Sequence, residues 1–179
     1  MNKTITQFRW LVTMILLVTA MAMPKMAWEE ITPTKPSSGD GTSGNPYQIG
    51  TAAELYWFAA LVNGDTNAPG VSSANTGACA TLTADITVNM GVLKSDGTLA
   101  DNVSGFTTWT PIGNNQNQYT GTFDGQGHTI SGLYFNNRNK SYVGLFGYNK
   151  NKGTIKNVGV VDSYFCGNYL VGGGCGSNY

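Results

Sequence analysis

One short run of residues recurs and constrains the fold more than anything else in the chain. Thr129-Ile130-Ser131-Gly132-Leu133-Tyr134-Phe135 is echoed by Thr154-Ile155-Lys156-Asn157-Val158-Gly159-Val160. Aligned in this way, Ile130 answers Ile155, Leu133 answers Val158 and Phe135 answers Val160, each 25 residues later. Downstream, Val143-Gly144-Leu145-Phe146-Gly147 is answered by Val171-Gly172-Gly173-Gly174-Cys175-Gly176 after a few extra residues. The repeat is tight in its apolar runs and loose in its loops. A unit of about 25–29 residues with two apolar strands between Gly/Asn turns cannot bury its inward side chains alone. It does so only with another coil above or below it. The period therefore predicts an all-β solenoid.

The residues before the repeat read differently. Residues 23–46 hold Pro24, Pro33, Pro36 and Pro46 with Ser37-Ser38-Gly39-Asp40-Gly41 and no apolar period, a composition expected of an extended or disordered linker. At Thr51 a T-x-x-E capping box with Glu54 opens a run in which Leu55, Phe58, Ala59 and Val62 recur at helical spacing until Asn63-Gly64. This predicts an amphipathic helix over about 51–63, with Trp57 a core contact. Residues 65–77 read as a loop, and Cys79–Val88 as a strand pair or one bent strand carrying Leu82, Ile86 and Val88. A second irregular stretch, 91–108, leads into Trp109-Thr110-Pro111-Ile112-Gly113. The division expected is a capping region over 47–113 and repeats over 114–179.

Residues 1–22 read as a secretory signal. Lys3 and Arg9 precede the apolar run Trp10–Met21, and Ala20-Met21-Ala22 satisfies the small-x-small rule for cleavage after Ala22, with Ala27 a second choice. The competing reading, an uncleaved anchor, needs a longer apolar stretch of roughly 20 residues. Removing the signal leaves 157 residues with 8 Lys+Arg against 10 Asp+Glu, a formal charge of −2 that gives nucleic acid no footing. Glycine, at 24 residues, is nearly twice the usual share of about 7%, and charged residues, at 11%, are under half the usual share of about 25%. Cys79, Cys166 and Cys175 follow no metal-ligand spacing, and the chain has a single histidine. After export three cysteines allow one disulfide and one free thiol, or three small buried thiols. No metal or cofactor is expected.

The run Gly121-Thr122-Phe123-Asp124-Gly125-Gln126-Gly127-His128-Thr129-Ile130-Ser131-Gly132-Leu133, followed by Val143-Gly144-Leu145-Phe146-Gly147, resembles the GLUG-motif repeats of bacterial exported and surface proteins. Asn45-Pro46-Tyr47-Gln48-Ile49, Ala53–Ala59, Ala80–Ile86 and Trp109–Gly113 resemble the region that precedes such repeats, so the likeness covers roughly residues 39–178. It implies a short right-handed parallel β-helix whose open end is covered by an N-terminal helix. It also implies adhesin-like proteins and some immunoglobulin A peptidases, in which the repeats accompany the activity. The family defines no catalytic residues. A longer array would continue past Tyr179, so the resemblance leads one to expect a truncated chain, or else a small protein that self-associates through its open C-terminal end.

The chemistry-bearing residues are few. The repeat region offers Asp124 and Asp162 as carboxylates, and both sit where a short side chain that bonds its own backbone suits a tight turn. His128 lies close to Asp124 and plentiful serines, but no G-x-S-x-G elbow accompanies it. The ligand-binding feature with most promise is aromatic: Tyr134, Tyr142, Tyr148, Tyr164 and Tyr169 lie in or beside the proposed strands. With Leu133, Phe135 and Val143 inward, alternation points Tyr134 and Tyr142 outward, where they serve either as a platform for sugars or a protein partner or simply as cover for polar rims. Two functions are consistent with these features. One is a non-catalytic secreted or cell-surface module of adhesin type, binding host or matrix protein or glycan. The other is the N-terminal portion of a larger secreted peptidase or polysaccharide-degrading enzyme.

Overall fold

The computed structural model describes residues 30–179. The signal segment and its cleavage site therefore lie outside the described residues. The described residues form a parallel β-helix of about four turns with one helix near their start. Strand β1 (Tyr47–Ile49) is followed by α1 (Ala52–Asn63), then β2 (Ala80–Leu82) and β3 (Ile86–Thr87). The third coil holds β4 (Thr122–Asp124), β5 (Thr129–Ser131), β6 (Tyr134–Asn136) and β7 (Phe146–Asn149). The fourth repeats this order with β8 (Thr154–Lys156), β9 (Gly159–Val161), β10 (Tyr164–Cys166) and β11 (Cys175–Asn178).

All pairings between these strands are parallel, and each side of the coil forms its own sheet: β1-β2-β4-β8, β3-β5-β9, β6-β10 and β7-β11. Thr108, Ile112 and Tyr119 extend the sides one coil earlier through single bridges to Tyr134, Phe146 and Asn149. The sheets thus run unbroken across residue 113. The capping region and the repeats read from the sequence share one core, in which Trp109, Ile112, Tyr119, Phe123, Ile130, Leu133 and Phe146 are all fully buried.

The register corrects the 25-residue alignment. Ile155 stacks on Phe123, thirty-two residues earlier, and Val160 stacks on Ile130, thirty residues earlier. Thr129–Ser131 therefore pairs with Gly159–Val161, and the look-alike Thr154–Lys156 belongs one side earlier in its coil. The downstream match holds: Val143 bridges Val171 and Phe146 pairs with Cys175. Each full coil has four paired sides rather than the two strands expected.

The capping box forms as the sequence predicts. Thr51 Oγ1 accepts the Glu54 N–H at 3.2 Å, and Glu54 Oε2 accepts the N–H groups of Gly50 and Thr51 at 2.9 and 3.1 Å. Gly64 ends the helix in the left-handed region, φ 74°, a conformation open to glycine without steric cost. The predicted stripe of Leu55, Phe58, Ala59 and Val62 is buried, and Trp57, Ala60 and Leu61 are buried as well. The reason is cover on the helix's other side. Thr34 N–H donates to Ala53 O, the Trp57 indole N–H donates to Pro69 O at 2.7 Å, and Asn75 N–H donates to Leu61 O. Towards the β-helix, Phe58 packs on Tyr119 and Phe123, and Tyr56 meets Trp109 edge-on at 5.0 Å. Helix α1 thus closes the first coil and roofs the second.

The described part of the predicted linker is likewise fastened. Pro36 is buried, Gln48 N–H donates to Ser38 O, and Asp40 and Gly41 N–H groups share Asn45 O. The irregular stretch 91–108 forms an excursion from the second coil, with Leu93 bridging Leu99 in antiparallel fashion. Buried Asn89 staples its return: Oδ1 accepts Thr107 N–H at 2.8 Å, while Nδ2 donates to Thr107 O and Gly132 O.

Candidate functional site

The tyrosines separate into two groups. Tyr134 stacks on Tyr164 of the next coil, centroids 6.2 Å apart, but Phe106 from the 91–108 excursion lies against it at 5.4 Å. Only 8% of Tyr134 remains exposed. The expectation that Tyr134 faces a ligand is corrected: the excursion covers the face on which it stands. Phe106 is near in space and twenty-eight residues away in sequence, so alternation within β6 carried no sign of it.

Tyr142 is the centre of the second group. Its ring lies parallel to that of Tyr148, 4° between planes at 5.1 Å, and 6.2 Å from Tyr169. Tyr148 in turn meets Tyr179 at 5.9 Å. The four rings form a row, Tyr169–Tyr142–Tyr148–Tyr179, whose outer members are 57% and 75% exposed. Tyr179 carries no local sequence signal; it enters the row because β11 stacks on β7, with Ser177 opposite Tyr148.

The backbone explains why the row forms. Tyr142 has φ 62° and its counterpart one coil later, Leu170, has φ 56°. The same left-handed turn at both positions shows that coil geometry imposes it, at a cost of about 1–2 kcal/mol for a non-glycine residue. Parallel stacking on Tyr148 offsets part of that, about 0.5–1.5 kcal/mol. Gly147 makes the approach feasible, since a Cβ there would overlap Gly113 O and lie 2.7 Å from Tyr142 O. Partial desolvation, with Tyr169 beside it, raises the Tyr142 phenol above its ordinary value of 10.0. A pocket of about 280 Å³ adjoins the row at Tyr142 and is lined also by Phe135, Asn137, Lys140, Asn114 and Asn63.

The acidic residues and the histidine are placed as follows. Asp124 Oδ1 accepts Gln126 N–H at 3.0 Å, closing the turn expected of it, and Asn157 Nδ2 donates to the same oxygen. Its other oxygen pairs with Lys156 at 3.0 Å. The Gln126 backbone bond, followed by Asn157 and Lys156, holds the Asp124 carboxyl below its ordinary 3.8. Asp162 sits in the left-handed region at φ 45° just after β9. His128 does not turn to Asp124; its Nδ1 lies 3.3 Å from Asp85 Oδ1, forty-three residues earlier, which also accepts Thr129 N–H at 2.8 Å. A polar groove of about 510 Å³ crosses the outer face of the β1-β2-β4-β8 sheet, lined by Gln48, Thr81, Asp124 and Lys156, one from each strand. The cysteines are free thiols, Cys79 buried and Cys166 and Cys175 half-buried. Among the described residues no helix is long and apolar enough to cross a membrane.

Comparison with known proteins places the chain only loosely. It is 35% identical over 74 residues, 40% of its length, to a protein of Evansella cellulosilytica provisionally named a Gly-rich membrane protein. It is 32% identical over 137 residues, 75% of its length, to halomucin of Haloquadratum walsbyi. The chain spans about 9% of the first relative and about 1% of the second. No family model matches it, and no solved structure matches it significantly.

Proposed function

We propose that this chain is a non-catalytic β-helical module of an exported, surface-borne protein of adhesin type, with GLUG-like repeats. The observation that carries the reading is the row of four tyrosines, two of them well exposed, laid across stacked coils that a single core holds rigid. Such an arrangement presents a fixed contact surface at little entropic cost, as binding scaffolds do. Both relatives have names suited to the cell boundary, a Gly-rich membrane protein and halomucin, and both are far longer than the matched stretch. A segment repeated within a long extracellular chain is the context this reading supplies.

Two measurements test it. Protease shaving of intact cells carrying an epitope-tagged copy should remove the tag, and the N-terminus of the exported protein should begin at Met23. Purified protein incubated with glycan and peptide libraries should leave them intact; cleavage that Asp124→Ala abolishes would sink the non-catalytic reading in favour of the enzyme alternative. The length of the relatives gives that alternative its one point of support, and sequencing the coding DNA beyond Tyr179 addresses it.

A further inference from the structure

Charge is segregated along this chain in a way the tyrosine row makes meaningful. Between Asp124 and Asp162 there is no Asp or Glu, yet the segment carries Arg138, Lys140, Lys150, Lys152 and Lys156, half of the chain's ten basic side chains. Lys156 is paired with Asp124. Among the described residues, no carboxylate pairs with Arg138, Lys140, Lys150 or Lys152.

These four cations stand on two turns, and hydrogen bonds place one turn at each end of the row. The turn carrying Arg138 and Lys140 closes through Lys140 N–H to Asn137 O, and Asn168 N–H donates to Lys140 O at 2.6 Å, which seats it beside Tyr169. The turn carrying Lys150 and Lys152 closes through Gly153 N–H to Lys150 O, and Asn151 N–H donates to Tyr179 O at 2.7 Å. Tyr169 and Tyr179 are the row's two ends. Arg138, Lys140 and Lys152 are exposed, as are Asn137, Asn151 and Asn168 next to them.

We propose that this face binds an acidic polysaccharide, with sugar rings seated on the tyrosine row and uronate carboxylates or sulfate esters on the lysine and arginine turns at its two ends. The proposal rests on the surface-module reading and gives it a ligand class. Aromatic faces accept the C–H faces of sugar rings, and side-chain amides match their hydroxyls. The cations lie at the ends, with phenol groups between them. A nucleic acid's continuous phosphate backbone would call for cations along the whole row. A purely acidic peptide would leave the ring row without a planar apolar partner.

The test is isothermal titration of the purified protein with oligogalacturonate, dextran sulfate and neutral dextran. The two acidic arms distinguish carboxylate from sulfate, and tight binding of either supports the proposal. The neutral polymer should bind about tenfold more weakly or worse, and the acidic affinity should fall with added salt. The Lys140→Gln/Lys150→Gln/Lys152→Gln variant and Tyr169→Ala should each weaken acidic binding by about tenfold, with circular dichroism unchanged. All of these positions are on turns, and Tyr169 is largely exposed. Equal affinity for neutral dextran, wild-type affinity in either variant, or poly-glutamate or single-stranded DNA binding as tightly as the acidic glycans would overturn it. So would no binding of either acidic glycan, which leaves the surface-module reading standing. Shortening of the bound glycan, read by mass spectrometry, would defeat the non-catalytic reading and leave the site in place.

Discussion

Replacing Gly132 by alanine puts a methyl group where the backbone of the preceding coil already lies. Gly132 has φ 73°, and a Cβ built there overlaps Asn89 O and falls 2.7 Å from Asn89 N. Two costs add. A left-handed alanine costs about 1–2 kcal/mol. Moving buried Asn89 breaks its bond to Gly132 O and disturbs its bonds to Thr107, and a buried amide left short of partners costs about 1–3 kcal/mol. The sum is about 2–5 kcal/mol, a large part of a small domain's stability. Asp162 provides the comparison. It follows β9 as Gly132 follows β5, has φ 45°, and is exposed. Asp162→Gly relieves the backbone but frees the unfolded chain, so the net change should stay within about 1 kcal/mol. Urea denaturation followed by circular dichroism reads both. A cost below about 1 kcal/mol for Gly132→Ala, or a larger effect from Asp162→Gly, would refute the close approach of the two coils.

Thr51→Ala should destabilise by about 1 kcal/mol in the same assay, because it removes one half of the capping box at the start of α1. Phe146→Ala should cost about 3–5 kcal/mol, since its ring fills the core against Tyr119 and Phe123; Cys175→Ala, its counterpart one coil later, should cost less than half as much. Acid should weaken the fold. Asp85, held below 3.8 first by the Thr129 N–H and then by His128, and Asp124, held low by the Gln126 N–H, contribute stability that is present above that value and lost as pH falls through their depressed folded values. Unfolding free energies measured from pH 6 downward should stay level until about pH 4 and then fall, and Asp85→Asn should flatten the fall.

The parts of this fold legible in the sequence are those set by neighbours along the chain. Thr51, Glu54 and Gly64 mark the bounds of α1 because capping is settled within one turn. The stacking itself was legible from repeated apolar runs, but its register was not. Thr129-Ile130-Ser131 and Thr154-Ile155-Lys156 look alike because both are short strands after a Gly turn, whereas pairing depends on which side of the coil each occupies. The signal that marks the true register is Tyr134-Phe135 against Tyr164-Phe165, thirty residues apart and paired in the structure. Tyr142 could be singled out, since it lies beside a strand and no excursion crosses it. The burial of Tyr134 under Phe106 and the pairing of His128 with Asp85 depend on contacts across long loops, and no local pattern encodes them.

The two ends of the stack are unequal. Val143 in the third coil is fully buried, while Val171, bridged to it in the fourth, is 42% exposed. At the opposite end α1 lies across the second coil. In a protein held together by nearest-neighbour contacts, that asymmetry gives unfolding a direction. Within residues 30–179 taken by themselves, amide protons of β8 to β11 should exchange before those of β4 to β7, and the protons beneath α1 should be the last to go.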